Sequence, residues 1–192
     1  LILEEVIDLL GREAGCEEEI AQLTSQAMRG ELDFERSLRD RVSFLEGLPI
    51  SVFDTVFDSI HLSPNAQEFI SILQKNGILV GLVSGGFTPI VARLAKSLDI
   101  AYFSANQLEV KDDHLTGKLV GQIISPEVKK ETLEQWRKEL KLSKERTIAI
   151  GDGVNDLLML KSAGLGIAFC AKEVLKKEIP YHVDKRDFLE VL

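Results

Sequence analysis

From Ser63 to the C-terminus, short apolar runs of strand type alternate with segments of helical period, and this leaves few folds open to the chain. Residues 64–76 read as a helix closed by Gly77, with Ser63-Pro64 as its cap and first-turn pair. Residues 78–83 read as a buried strand, 88–98 as a helix and 101–103 as a short strand. A β-hairpin is expected over 107–124, with Lys111-Asp112-Asp113-His114 as its polar turn. Residues 126–140 then read as a long helix, 147–150 as a strand and 156–163 as a helix. A strand at 166–169, a helical turn at 173–177 and a strand at 181–183 complete the series. Strand–helix alternation of this kind implies an α/β fold, a parallel sheet with helices on both faces.

The first 60 residues lack that alternation. Ile2, Val6, Leu9 and Leu10 share one helical face, and three further helical patterns run through Ile20–Met28, Phe34–Leu45 and Val52–Ile60. Gly15, Gly30 and Gly47 punctuate them. Charge divides at the same place: residues 1–60 carry five Arg, no Lys and fourteen Asp or Glu, whereas the remaining 132 are almost neutral. We therefore expect a small all-helical domain over 1–61 and an α/β domain over 62–192. Alone, the helical part is too small for much stability.

The net charge of −8 argues against a nucleic-acid partner. No apolar run is long enough to cross a membrane, and Leu1-Ile2-Leu3-Glu4-Glu5 has no signal-peptide character. Two scattered cysteines, Cys16 and Cys170, fit neither a disulfide framework nor a zinc site. These features favour a cytoplasmic protein. The sequence starts at Leu1 and not at Met, so the expectation is that something upstream has been removed.

Three segments carry chemistry. In Ile148-Ala149-Ile150-Gly151-Asp152-Gly153-Val154-Asn155-Asp156 an apolar strand runs into a loop with two glycines and two carboxylates. Ligands of open parallel sheets bind beyond the carboxyl ends of strands. Asp152 and Asp156 can converge there on one cation, and hard oxygen donors favour Mg²⁺. The same residues also suit a simple turn. Val83-Ser84-Gly85-Gly86-Phe87 ends another strand and opens a helix, which suits a phosphate cradle or a plain helix cap. Lys129 stands in the first turn of the 126–140 helix, where a cation opposes the macrodipole; Lys130 is an equally placed neighbour.

In this order, Ser84, then Lys129, then Asp152 and Asp156, the chain resembles the haloacid dehalogenase superfamily. Segments 27–34 and 37–42 are similar to the helical cap of members acting on O-phosphoserine, and 83–87 and 168–172 to their core. The resemblance implies a Rossmann-like core with a small helical cap and a Mg²⁺-dependent phosphomonoester hydrolase working through an aspartyl-phosphate. Asp152 would hold the metal and Asp156 orient its waters. Lys129, Ser84, Gly85 and Asn155 would take the phosphoryl group. Glu5 would meet the substrate ammonium and Arg41 its carboxylate, with Met28 and Phe34 closing over them. Each of these four also reads as a surface charge or a core residue.

The family's first motif is an Asp-x-Asp at the end of the central strand, and no Asp-x-Asp occurs in these 192 residues. The expectation is that this strand and its nucleophile lie upstream of Leu1, and that the 192 residues alone are inert. Two other readings remain: action on another small phosphorylated metabolite as a phosphatase or phosphotransferase, or binding of a phospho-ligand without turnover. The oligomeric state is not legible.

Overall fold

The computed structural model describes residues 1–28 and 33–192, with the side chains of Ala27 and Met28 also left outside the description. The helices and strands run α1 (Val6–Glu13), α2 (Glu17–Met28), α3 (Phe34–Ser43), α4 (Val52–Asp58), α5 (Ala66–Lys75), β1 (Gly81–Phe87), α6 (Thr88–Ser97), β2 (Tyr102–Lys111), β3 (His114–Val120), α7 (Pro126–Glu139), β4 (Ile148–Gly151), α8 (Leu157–Ser162), β5 (Leu165–Phe169), α9 (Glu173–Glu178) and β6 (Tyr181–Val183). The expected helix stop at Gly30 lies outside the described residues. Two compact units emerge: Leu1–Leu62 with Val80–Ile123, and Ser63–Leu79 with Ile124–Leu192.

In the first unit β1 pairs parallel to β2 through the α6 crossover, and β2 pairs antiparallel to β3. Helices α1–α4 are amphipathic and too short to stand alone. Their apolar faces meet Phe87, Ile90, Leu94 and Leu115 in one core, in which Leu10, Ile20, Val42 and Leu45 are fully buried. Asp33 starts α3 by accepting from Arg36 N at 3.0 Å, which satisfies one open N–H of the first turn. The chain leading into α1 lies antiparallel to the chain leaving α4. Ile2 bridges Leu62, and Leu3 N donates to His61 O at 3.0 Å. Glu4 accepts from His61 N at 2.9 Å and stands 2.7 Å from its Nδ1.

Asp112 and Asp113 turn the β2–β3 hairpin with φ of 49° and 59°, a conformation matched to strand twist. The hairpin is tied to the loop after α3 by Gly47 N to Leu115 O, Leu115 N to Leu48 O and Ile50 N to Asp113 O.

In the second unit β4, β5 and β6 form a parallel sheet in that order. Ala149, Leu160, Ala168 and Leu175 make its core, with Leu133 of α7 and Leu157 of α8 against it. Phe188 stacks on Phe169 with centroids 4.4 Å apart. Ser125 caps α7 by accepting from Val128 N at 3.3 Å, and Pro126 takes the first turn, where its missing N–H is not needed. No helix among the described residues is long and apolar enough to cross a membrane.

The α/β architecture agrees with the sequence, but several boundaries move. The strand expected at 78–83 runs instead from Gly81 to Phe87, and Leu79 is 62% exposed. Pairing with β2 starts only at Gly81–Tyr102, and an apolar run does not reveal where a partner begins. The short strand at 101–103 extends to Lys111 and becomes the first arm of the hairpin. The 156–163 helix is a 3₁₀ turn, Val154–Asp156, followed by α8. Ser63 does not cap a helix: α5 starts at Ala66, after Asn65 at φ 59°. Asn65 is held there by donation to Asp187 Oδ1 at 2.8 Å.

Candidate active site

At the carboxyl end of β1, Ser84 pairs with Ala105, yet the next paired residue is Phe87, with Asn106. Gly85 and Gly86 thus bulge from the ladder, which re-aims the strand end. Ser84 Oγ accepts from Gly86 N at 3.0 Å, folding the hydroxyl over the bulge. It is not a helix cap, since Phe87 precedes α6 without a side-chain bond. From the other strand, Asn106 donates to Gly85 O at 2.8 Å, and Thr88 Oγ1 donates to Asn106 O at 3.0 Å. Asn106 is 1% exposed, so the loop is braced from inside the fold. Phe34 lies over the bulge: its Cζ is 4.0 Å from where a β-carbon on Gly85 would stand.

Arg41 lies two turns along α3 from Phe34, and residues seven apart share one face of a helix. Its Nε donates to Ser37 O at 3.1 Å and its Nη1 to Thr24 Oγ1 of α2 at 3.3 Å. Burial pulls its pKa below the usual arginine value, opposed by the nearby charges of Asp8 and Glu5. Burial likewise pushes Asp8 above the usual aspartate value, with Arg41 opposing. Glu5, Asp8 and Arg41 therefore form one charge cluster on α1 and α3. Glu5 itself is exposed, just before α1. The side chain of Met28 lies outside the described residues.

In the second unit Lys129 and Asp156 form a buried ion pair, Nζ to Oδ1 at 2.6 Å, with side chains 7% and 8% exposed. Asp156 Oδ2 accepts from the backbone N–H groups of both Asp152 and Gly153 at 3.1 Å. Both oxygens of Asp156 thus have partners, and its carboxylate fixes the loop that presents Asp152. Only a glycine fits at 151, because a β-carbon there would come within 2.6 Å of the Asp156 carboxylate. Asn155 is half-buried over Gly153. Lys130 is only half-buried and pairs with Glu134 at 3.8 Å, so the α7 lysine that turns fully inward is Lys129.

Residues 2–164 match the profile of the haloacid dehalogenase-like hydrolases. The chain belongs to that family. Among its relatives, the phosphoserine phosphatase of Lactococcus lactis is 50% identical, over 100% of this chain and 89% of that protein. The phosphoserine phosphatase of Methanocaldococcus jannaschii is 44% identical, over 100% of this chain and 91% of its own length. A solved substrate-bound phosphoserine phosphatase complex superimposes with a TM-score of 0.93 at 43% identity, covering 100% of this chain and 91% of that one. The haloacid dehalogenase-like core and its parallel strands are thus common ground, and the protein is a phosphatase by kinship.

Asp8, Thr24 and Asn106 join these groups without a strong signal in the sequence. A polar residue inside a strand is a weak signal for Asn106, since Asn is depleted there. Asp8 and Thr24 look like ordinary polar positions on a helix. The described residues include no cluster of three or more acidic, His or Cys side chains fit for a metal. Asp152, exposed and presented by a fixed loop, suits a hard cation that keeps most of its waters, as Mg²⁺ does.

Proposed function

We propose that this hydrolase cleaves O-phosphoserine to serine and phosphate through an aspartyl-phosphate, in the cytoplasm and with Mg²⁺. The observation that carries the reading is the buried Lys129–Asp156 pair gripping the Asp152–Gly153 backbone, in a chain whose relatives at 40–50% identity are phosphoserine phosphatases. In this reading the attacking carboxylate belongs to the family's Asp-x-Asp motif, which the 192 residues do not hold.

A carboxylate that attacks a phosphate dianion meets strong repulsion, and positive charge and oriented N–H groups reduce it. Asp152 would hold Mg²⁺, with Asp156 one step behind it; when bound, the metal supplies charge neutralisation and orients an oxygen. Lys129, paired with Asp156, would supply its ammonium to the phosphoryl group. The Ser84 hydroxyl and Gly85 N–H accommodate phosphoryl oxygens, and Asn155 lines the rim. Residues 1–61 act as the substrate-sensing cap. Arg41 takes the substrate carboxylate by a two-point fork, Glu5 takes its ammonium, and Met28 with Phe34 exclude water.

The test is Asp152→Asn in the full-length protein. Mg²⁺-dependent release of phosphate from O-phosphoserine disappears; a variant that retains it contradicts the assignment.

A further inference from the structure

We propose that Thr24 is a positioning residue that sets the plane and rotation of the Arg41 guanidinium, and through it the preference for a carboxylate-bearing substrate. This rests on the reading of Arg41 as the carboxylate fork.

Arginine only donates, so in the Arg41 Nη1–Thr24 contact at 3.3 Å the threonine oxygen must accept. Its single proton is then free for Ile20 O, one turn back on α2, at 2.9 Å. The hydroxyl is thereby fixed by the α2 backbone, with its lone pair toward α3. A second bond, Nε to Ser37 O at 3.1 Å, holds the opposite edge of the same planar group. Two anchors on two helices define the orientation of a plane. Of the five N–H bonds of a guanidinium these take two, and the three that remain, two on Nη2 and one on Nη1, are enough for the paired donation that a carboxylate needs.

Burial already disfavours the charge on Arg41, with Asp8 and Glu5 countering it. Those two acids supply field; the short directional contacts come from Thr24 and Ser37. Ser37 contributes a backbone carbonyl of the same helix, which a side-chain substitution leaves in place. Among the described residues, Thr24 is therefore the hydrogen-bonded anchor between helices that a substitution can remove.

The experiment compares wild type, Thr24→Val and Thr24→Ser in the full-length, Mg²⁺-loaded protein, with O-phosphoserine and with p-nitrophenyl phosphate, which has no carboxylate. Valine keeps the branched shape and loses the acceptor. KM for O-phosphoserine rises about tenfold in Thr24→Val, the loss of one hydrogen bond to a charged group, while kcat stays within about twofold. The ratio of kcat/KM for the two substrates falls accordingly, and Thr24→Ser restores it. An unchanged KM, or an equal loss on both substrates, overturns the proposal, because a merely structural role moves both alike. Thr24→Ala reads the same comparison if the valine variant is insoluble. Arg41→Ala, measured alongside, separates the two claims. If it leaves the substrate preference intact, the carboxylate-fork reading fails; if it erases the preference and Thr24→Val does not, only the role of Thr24 fails.

Discussion

Lys129 shows what a single buried charge demands. An ammonium withdrawn from water is tolerable only beside an opposite charge with its remaining hydrogen-bonding positions satisfied. Asp156 provides the charge, and its second oxygen is satisfied by two backbone N–H groups. Replacing Lys129 by Met leaves that carboxylate buried without its cation. The variant should lose about 3–5 kcal/mol of stability, read by urea unfolding, in addition to its activity. A stability unchanged within about 0.5 kcal/mol would mean that Asp156 is not held by Lys129. From the sequence, Lys129 and Lys130 were equivalent candidates. Burial separates them, and burial is set by tertiary packing that local spacing does not encode. The hold of Asp156 on the Asp152–Gly153 backbone was equally hidden. From the sequence its carboxylate read as a cation ligand, an orienter of the metal's waters or a turn former; in the structure it accepts from the Asp152 and Gly153 backbone.

At the scale of elements, the helical periods of α1–α4 and the strand–helix alternation after Ser63 were legible because each buries one face. Strand limits were not. Gly81–Phe87 is a strand because β2 lies beside it, and the Gly85–Gly86 bulge exists because two residues on β1 oppose a continuous β2. Neither is a local property. The two chain segments that bracket the first four helices are another pairing that spacing did not reveal. They are joined by Ile2–Leu62 and by the two bonds of Glu4 to His61. Burial raises the Glu4 pKa, but the backbone and ring hydrogen bonds from His61 outweigh it and hold the value below 4.5. A carboxylate with a depressed folded pKa adds stability above its unfolded value, and that part is lost as pH falls through the folded value. Glu4→Gln should therefore melt below wild type at pH 7, and the gap should close as the pH is lowered below 4.5. Melting curves across that range check it; a gap independent of pH would show that Glu4 acts by shape alone.

Across the whole molecule, the candidate site residues are distributed over two compact units. One holds the Ser84–Gly86 bulge and the Arg41 cluster, and the other the Lys129–Asp156 pair with its Asp152 loop. The order of these motifs along the chain was enough to indicate the family, which the match over residues 2–164 establishes. Within the acidic first 60 residues, the charges of Asp8 and Glu5 act on the half-buried Arg41, a grouping suited to a zwitterionic substrate. In the function we propose, the preference for a small amino-acid phosphate rests on Arg41. The most direct test is the ratio of kcat/KM for O-phosphoserine to that for p-nitrophenyl phosphate, in the full-length wild type and Arg41→Ala. Wild type should favour O-phosphoserine, and the variant should lose about a hundredfold of that ratio, the penalty for removing one partner of a desolvated charge pair. An unchanged ratio would contradict the account.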